Sequence, residues 1–373
     1  MRTVPLVLAA LGLAVTGCSF SSVDPDASVH ISGRALDATG KPLAHAKVLL
    51  FKQADIGEVV FGTVLAVGTL GTACLVPDAP AICAKARTAT TDSEGRYTFD
   101  LKGSDTQGTL GTASTLNVVF SASPGRAGSS TTVSFTAKGA DIALPDARAW
   151  NAGARATSTS RGIRLSWTRL PAAAGGSARY SAQLFSNGGR SALWSQAASG
   201  SSASIDPRIL EDRSGAVAAG ASTTLSGGSG TGQVRAGYLS PRVPVRATAG
   251  APPSRGVRCA AVVGLAHAPF TRCAETDGDL DRPAHLSMPG GGVVSGVVID
   301  LGATRLVGLV VARGFAGQFI VETSTDGTAF TTVATSSGSA AVDVPGHARA
   351  RYLRLRSPAG LDESLSSEVS AWP

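Results

Sequence analysis

The sequence predicts an all-β protein of three tandem β-sandwich domains behind a short amino-terminal leader. Apolar and polar residues alternate in many short runs, which is typical of strands with one buried face. Glycine makes up 45 of the 373 residues and permits the tight turns that join short strands. Charged residues (16%) and aromatic residues (5%) are scarce, and the chain is longer than one small core requires.

The formal net charge is +7, and most of it comes from scattered arginines. No lysine follows Lys138, and no basic run interleaves with aromatic residues. A groove for nucleic acid needs clustered positive charge that displaces the counterions of the phosphates. We therefore expect no nucleic-acid partner.

The amino terminus predicts a lipid anchor. An apolar run from Val4 to Val15 is too short to span a bilayer comfortably, and it leads into Val15-Thr16-Gly17-Cys18. This pattern resembles the lipobox of bacterial lipoproteins, which implies a signal peptide at 1–17, acylation of Cys18 and a tether at 18–27. The alternative is an ordinary signal peptide with a chance cysteine. In a Gram-negative host, Ser19 after the lipidated cysteine implies sorting to the outer membrane.

The four remaining cysteines fall into two local pairs. An oxidising compartment outside the cytosol favours the disulfides Cys74–Cys83 and Cys259–Cys273, because the other two pairings would join separate domains. A zinc site is weakly supported, since neither pair has the C-x-x-C spacing and no histidine pair lies nearby.

Domain one is predicted at 28–146. The residues that define it are Gly33, Asp37, Gly40, Pro42, Leu43, Ala46 and Val48, followed by Thr91, Asp92, Gly95, Tyr97 and Phe99. This pattern resembles the carboxypeptidase-regulatory-like domain, a transthyretin-like sandwich without catalytic residues. An insertion at 55–85 contains the nearly uncharged stretch 58–76. We expect that stretch to pack on the domain or to form an exposed patch that docks a partner or leaflet.

Domain two is predicted at 150–250. Ile163, Leu165 and Trp167 alternate, and an Asn-Gly-Gly-Arg turn at 187–190 precedes the run 192–194. The segment resembles a fibronectin type III sandwich, with Trp167 in the place of that family's buried tryptophan. The family's tyrosine corner is missing, and 222–232 is a low-complexity loop. A spacer role is the expectation.

Domain three is predicted at 256–373. Asp326-Gly327 is a hairpin signal, since both central residues of a two-residue turn need positive φ. The segment resembles the discoidin or coagulation-factor C-type domain, a galactose-binding-like jelly roll whose relatives bind sugars, lipids or proteins. The residues that carry this likeness are Asp277-Gly278, 299–302, 319–327, 351–355 and 367–369.

This resemblance also implies a candidate metal site and a candidate ligand site. Sugar-binding relatives hold a structural calcium near the Asp-Gly motif, which corresponds here to Asp277, Asp279 or Asp281 together with Glu368. The alternative is turn aspartates and a solvated glutamate. An exposed sugar platform is expected from Arg313 and Phe315, or from Arg282 and His285. Loop or core roles for these four residues are the alternative, and the tryptophan usual near His285 is absent.

No catalytic motif is present. The five histidines lie far apart, and the sequence lacks H-E-x-x-H, G-x-S-x-G and P-loop patterns. We therefore expect a non-catalytic envelope lipoprotein whose third domain binds a glycan or surface polymer. One alternative is a scaffold subunit of an envelope protein complex. The other is an accessory binding module for a partner enzyme. Apart from calcium, no cofactor is expected.

Overall fold

The computed structural model describes residues 21–52, 87–108, 111–121, 130–159, 162–171, 177–186, 192–263, 266–280, 295–313, 319–336, 341–356 and 368–373. The prediction of an all-β fold is confirmed, since helical structure in these ranges is limited to single 3₁₀ turns such as Pro207–Ile209. Within the same ranges, no helix has the length and apolar character needed to cross a membrane.

Domain one is a sandwich whose two sheets close around the predicted apolar residues. Val29, Ile31, Tyr97 and Phe99 are buried in one core, and they come from two neighbouring strands of the same sheet. One sheet has the order β4-β1-β7, with β8 also on β1, and it faces strands β6-β5-β2-β3. The strands are β1 (Ser28–Leu36), β2 (Lys47–Lys52), β3 (Arg87–Thr90), β4 (Arg96–Lys102), β5 (Thr115–Phe120), β6 (Ser130–Thr136), β7 (Asp141–Ala143) and β8 (Ala147–Arg148).

Domain two is a second sandwich, and Ile163, Leu165 and Trp167 are buried in its core as their alternation predicts. A three-stranded sheet of order β13-β10-β9 faces strands β12-β11-β14-β15, and β16 pairs with β14. The strands are β9 (Arg155–Thr159), β10 (Gly162–Ser166), β11 (Arg179–Ser186), β12 (Ala192–Ala198), β13 (Ser202–Ile205), β14 (Ser214–Leu225), β15 (Val234–Leu239) and β16 (Val243–Arg246).

Domains one and two share one continuous sheet, which the sequence does not predict. Strand β15 of domain two pairs antiparallel with β6 of domain one, from Arg235 opposite Ser134 to Leu239 opposite Ser130. The resulting nine-stranded sheet runs β12-β11-β14-β15-β6-β5-β2-β3, and its ninth strand, β16, pairs with β14. Main-chain hydrogen bonds therefore join the two sandwiches.

The glycine-rich segment expected to be a loop reinforces this junction. Strand β14 extends to Leu225, and Ser229 then exchanges main-chain hydrogen bonds with Ala143 at 2.9 and 3.1 Å. A Cβ atom at Gly228 would lie 2.5 Å from the carbonyl oxygen of Ala143. Glycine is required there because its absent side chain lets the two backbones approach.

Domain three folds one eight-stranded sheet over on itself. Strands β20 and β23 are long, and their pairing breaks register between Asp300 and Arg305. Residues of both halves of β20, such as Ile299 and Val310, lie in the same core. The strands are β17 (Arg258–Val263), β18 (Ala266–His267), β19 (Thr271–Arg272), β20 (Gly296–Arg313), β21 (Ile320–Ser324), β22 (Thr331–Thr335), β23 (Ala341–Arg356) and β24 (Glu368–Trp372).

The predicted hairpin at Asp326-Gly327 forms, but its turn is longer than two residues. Strand β21 ends at Ser324 and β22 begins at Thr331. Gly327 has φ +80°, whereas Asp326 is not among the residues with positive φ. The Asp326 carboxylate accepts hydrogen bonds from the amides of Thr328 and Ala329 at 2.8 and 3.0 Å. These bonds replace the main-chain pairing of a tight turn.

Domain three packs on domain two through the half of its sheet that contains the end of β20 and β24. Leu309 and Val311 of β20 and Trp372 of β24 belong to the core cluster of domain two. Val310 and Ala312, which alternate with them, lie in the core of domain three. This part of β20 is thus buried on both faces, in agreement with its uninterrupted apolar sequence.

Candidate functional site

Several predicted site residues lie outside the described residues. They are the acylation site Cys18, the cysteines Cys74 and Cys83, the candidate calcium ligand Asp281, and the candidate ligand-binding residues Arg282, His285 and Phe315. The stretch 58–76 also lies outside them. Those expectations remain predictions.

The disulfide Cys259–Cys273 is present and closes a loop of sequence separation 14. It links β17 to the segment that follows β19, beside the 3₁₀ turn Ala274–Thr276. The two sulfurs and Glu275 are near enough for a metal site. Because both sulfurs are used in the disulfide, they are not thiolate ligands.

Arg313 is not the exposed sugar ligand that the sequence suggested. Its side chain is only 2% exposed, and it lies at the junction of domains two and three. Its guanidinium donates to the carbonyl oxygens of Ile209 (2.7 Å) and Arg208 (3.3 Å) and to Ser370 Oγ (2.8 Å). Every one of these partners is inside the protein, so the expectation for Arg313 is wrong.

The Arg313 charge is balanced by Glu211, a fully buried residue of domain two. Arg313 Nη2 lies 3.5 Å from Glu211 Oε1, which also accepts a 2.7 Å hydrogen bond from Ser370 Oγ. The other carboxylate oxygen of Glu211 accepts from Arg255. Burial lowers the pKa of Arg313 to about 10, against the opposing effect of Glu211, and the guanidinium stays charged at neutral pH.

Glu211 has an unusual backbone as well as a buried charge. Its φ is +61°, a left-handed conformation that is uncommon for a residue with a side chain. Its amide donates to Arg208 O, and its carbonyl accepts from the Ala249 amide. The surrounding chain thus holds the carboxylate at the junction despite the backbone cost.

The described calcium-ligand candidates do not form a cluster of carboxylates. Glu368 is buried, and its Oε1 accepts a 3.1 Å hydrogen bond from the Gly278 amide. Asp277 and Asp279 are exposed, and Asp277 Oδ1 accepts from the Asp279 amide at 2.7 Å. Among the described residues, these three carboxylates do not appear as a group with oxygens within 4.8 Å of one another. Calcium needs several converging oxygens.

Glu368 instead lies beside a protein cation. It is directly opposite Arg313 in the pairing of β24 with β20. Burial raises the pKa of Glu368 to about 8, although Arg313 acts in the other direction. Its Oε2 is buried without a hydrogen-bond partner among the described residues. At neutral pH the carboxyl group is therefore mainly protonated.

The other half of the domain-three sheet carries polar and aromatic side chains on its outer face. Directly opposite residues of neighbouring strands point to the same side of a sheet. Arg272, Arg258, Asp300, Tyr352 and Ser324 form such a row across β19, β17, β20, β23 and β21. The neighbouring row of Cys259, Ile299 and Leu353 points into the core. We call the side of the sheet that carries the row from Arg272 to Ser324 the outer face.

A line of rings crosses this outer face. The ring of Phe270 lies 5.1 Å from that of His267 and 5.8 Å from that of Tyr352, measured between centroids. The Arg351 guanidinium lies 5.0 Å from the Tyr352 ring centre, in cation–π range. His267 is exposed, and Phe270 and Tyr352 are half-buried. We call these three rings the aromatic strip.

Charged groups border the aromatic strip. Asp300 is only 5% exposed and accepts hydrogen bonds from Arg351 at 3.0 and 3.3 Å, while Arg258 lies 3.7 Å away. Burial would raise the pKa of Asp300, but Arg351 and the Gly302 amide lower it on balance. The face thus combines ring surfaces with fixed hydrogen-bonding groups, the combination that ligand sites use.

The aromatic strip was not identified from the sequence. Tyr352, Arg354 and Arg356 alternate with Leu353 and Leu355, which signals one apolar and one polar side of β23. No sequence pattern places Phe270 against Tyr352, because 82 positions separate them in the numbering. The cluster of Glu211 and Arg313 likewise joins residues from two domains.

Among known proteins, only solved structures show similarity to this chain, and the similarity is weak. No protein-family model and no curated protein matches the chain. A family 32 carbohydrate-binding module of C. perfringens NanJ, in complex with galactose, is 17% identical, covering 26% of this chain and 81% of that one, with a TM-score of 0.22. A DUF3823 family protein from Parabacteroides merdae is 12% identical, covering 59% and 99%, with a TM-score of 0.20. The shaft pilin SpaA from Lactobacillus rhamnosus GG is 10% identical, covering 59% and 94%, also with a TM-score of 0.20.

Proposed function

We propose that this chain is a non-catalytic lipoprotein of the cell envelope whose third domain binds a glycan through the aromatic strip. The observation that carries the proposal is the line of His267, Phe270 and Tyr352 on the outer face, bordered by Arg258 and Asp300. Sugar rings have apolar C–H faces that stack on aromatic rings, while their hydroxyl groups need charged or polar partners.

The position of the aromatic strip supports this role. It lies on the half of the domain-three sheet that contains β17, whereas Leu309 and Trp372 of the other half pack on domain two. Attachment to the neighbouring domain therefore uses the other half of the sheet and leaves the exposed His267 and Arg258 uncovered by that domain. Domains one and two would act as a spacer between that face and the membrane.

Membrane attachment belongs to the same proposal and is supported by Val15-Thr16-Gly17-Cys18. Acyl chains on Cys18 would anchor the protein stably, because each buried methylene adds about 0.8 kcal/mol. Growth with radioactive palmitate tests it directly. The wild-type chain should take up label and a Cys18→Ala chain should not; equal labelling of the two would refute the anchor.

Glycan binding is tested with the purified full chain on an array of plant, animal and bacterial glycans. For any glycan that the wild-type chain binds on the array, Phe270→Ala should weaken the affinity about tenfold or more. A ring in the middle of a binding surface contributes a large share of the binding free energy. His267→Ala, which truncates an exposed residue, should weaken it less. Leu306→Ala is the matched control, since Leu306 is an exposed apolar side chain (48%) outside the aromatic strip.

The melting temperature of each variant shows whether the fold is retained. Loss of binding by Phe270→Ala and His267→Ala at unchanged melting temperature would support the site. If no glycan on the array is retained, or if both variants bind like the wild-type chain, the proposed function is wrong.

A further inference from the structure

The outer face carries more positive than negative charge. Five arginines and three carboxylates lie on it or at its edge: Arg258, Arg272, Arg351, Arg354 and Arg356, with Asp300, Glu322 and Asp326. The segment 256–373 as a whole contains nine arginines and no lysine, against eleven acidic residues. The positive charge is therefore concentrated on this face and does not follow from the composition of the domain.

Two of the five arginines share one carboxylate. Arg354 Nε lies 2.5 Å from Glu322 Oε2, and Arg356 donates to both oxygens of Glu322 at 2.8 and 2.9 Å. The Arg354 guanidinium also lies 4.0 Å from the ring centre of Phe330. The protein therefore holds these two side chains in fixed positions, and their guanidinium groups contribute positive charge next to the aromatic strip.

Arg258 and Arg272 are the cations most available to a ligand. Asp300 already accepts two hydrogen bonds from Arg351 and one from the Gly302 amide. The contact of Asp300 with Arg258 is longer, at 3.7 Å, and the Arg258 side chain is 64% exposed. Arg272 is exposed, and it makes no ion pair with any other described residue.

The two arginines are also directly opposite each other. Arg258 of β17 pairs with Arg272 of β19, next to the disulfide partners Cys259 and Cys273. Like charges at directly opposite positions of a sheet destabilise the pair. An anion between the two guanidinium groups would remove this repulsion, and guanidinium groups bind carboxylate and sulfate with paired hydrogen bonds.

We propose that the outer face binds an acidic polysaccharide, with a carboxylate or sulfate group between Arg258 and Arg272 and a sugar ring against the aromatic strip. This inference rests on the proposed glycan-binding function and adds the chemical class of the ligand. The rings favour a sugar over a simple anion. Asp300 and Asp326 on the same face disfavour a continuous phosphate backbone.

The experiment measures the affinity of the full chain for polygalacturonate and chondroitin sulfate, with dextran and galactan as neutral probes. The wild-type chain should bind an acidic probe at least about tenfold more tightly than the neutral ones. Affinity should fall as salt is raised, because screening weakens the interaction of exposed charges. Arg258→Gln with Arg272→Gln should reduce acidic-probe affinity about tenfold. The melting temperature should fall little, since a repulsive pair is removed.

The control is Arg164→Gln, which removes one exposed arginine from β10 of domain two. It should bind the acidic probes like the wild-type chain. A loss in this variant equal to that of the double variant would show that net charge alone matters and would overturn the proposed site.

Two further outcomes separate this inference from the proposed function. Equal binding of neutral and acidic probes, weakened by Phe270→Ala but not by the arginine variants, would overturn the acidic ligand and leave glycan binding intact. No binding to any sugar, with binding to phosphatidylglycerol vesicles or duplex DNA, would overturn both.

Discussion

The junction between domains one and two consists of main-chain hydrogen bonds, whereas the junction between domains two and three consists of packed side chains around a buried ion pair. In the first, β15 pairs with β6 in one sheet. In the second, Trp372 enters the core of domain two while Arg313 and Glu211 meet nearby. Backbone pairing depends little on side-chain identity, but a buried ion pair depends on both partners. The two junctions should therefore respond differently to substitution.

The largest effect is expected for Arg313→Met. It leaves Glu211 buried without one of its cations, and removal of one partner of a buried pair costs about 3–5 kcal/mol. Urea unfolding of the full chain should show this loss of unfolding free energy. Arg246→Met, at an exposed arginine of β16, should change it by less than about 0.5 kcal/mol.

A second variant makes the test specific for charge. Combining Arg313→Met with Glu211→Gln should cost less than the sum of the two single changes, because the second removes the charge that the first left unpaired. Simple additivity would contradict the interpretation of this junction as a coupled ion pair.

A smaller effect is expected for Gly228→Ala at the first junction. The added Cβ would meet the carbonyl oxygen of Ala143 at 2.5 Å, and Gly228 has φ +94°. Gly227→Ala is a close control, since Gly227 has φ +92° and no atom within 4 Å of its added Cβ. We expect about 1 kcal/mol of destabilisation from backbone strain alone in the control and about 1–3 kcal/mol more in Gly228→Ala. Equal melting temperatures of the two variants would rule out the close approach of the two backbones.

A still smaller effect is expected for Arg235→Ala. Arg235 is exposed and opposite Ser134 at the β15–β6 contact, but its guanidinium bonds only to Gln233 among the described residues. Because the backbone holds this junction, the unfolding free energy should change by less than about 0.5 kcal/mol. A loss of several times that size would show that side chains matter here as they do at the second junction.

The smallest effect is expected on removal of divalent cations. Glu368 lies opposite Arg313, and the described carboxylates do not converge. Dialysis against EDTA should leave the melting temperature of the full chain unchanged, and added calcium should not raise it. A calcium-dependent rise would support the metal-site hypothesis and contradict this prediction, since a ligand that binds only the folded state stabilises it.

The sequence determined the strand content, several core residues and the disulfide Cys259–Cys273. Alternation placed Val29, Ile31, Tyr97 and Phe99 in one core, because each local pattern matches the two-residue repeat of a strand. Local cysteine spacing predicted Cys259–Cys273. These features depend on residues that are close together in the chain. They also depend on the burial of one face of a strand, which appears as alternating apolar residues within that strand's own sequence.

Only the tertiary structure decided the shared sheet, the burial of Arg313 and the aromatic strip. The pairing of β15 with β6 cannot be predicted from the alternation of side chains, because it uses backbone groups that nearly every residue has. Arg313 is buried because Glu211, 102 positions earlier in the numbering, supplies its counter-charge. Phe270 and Tyr352 meet because two distant strands share one face. Contacts between distant residues depend on how the strands are arranged in space, and no single stretch of sequence encodes that arrangement.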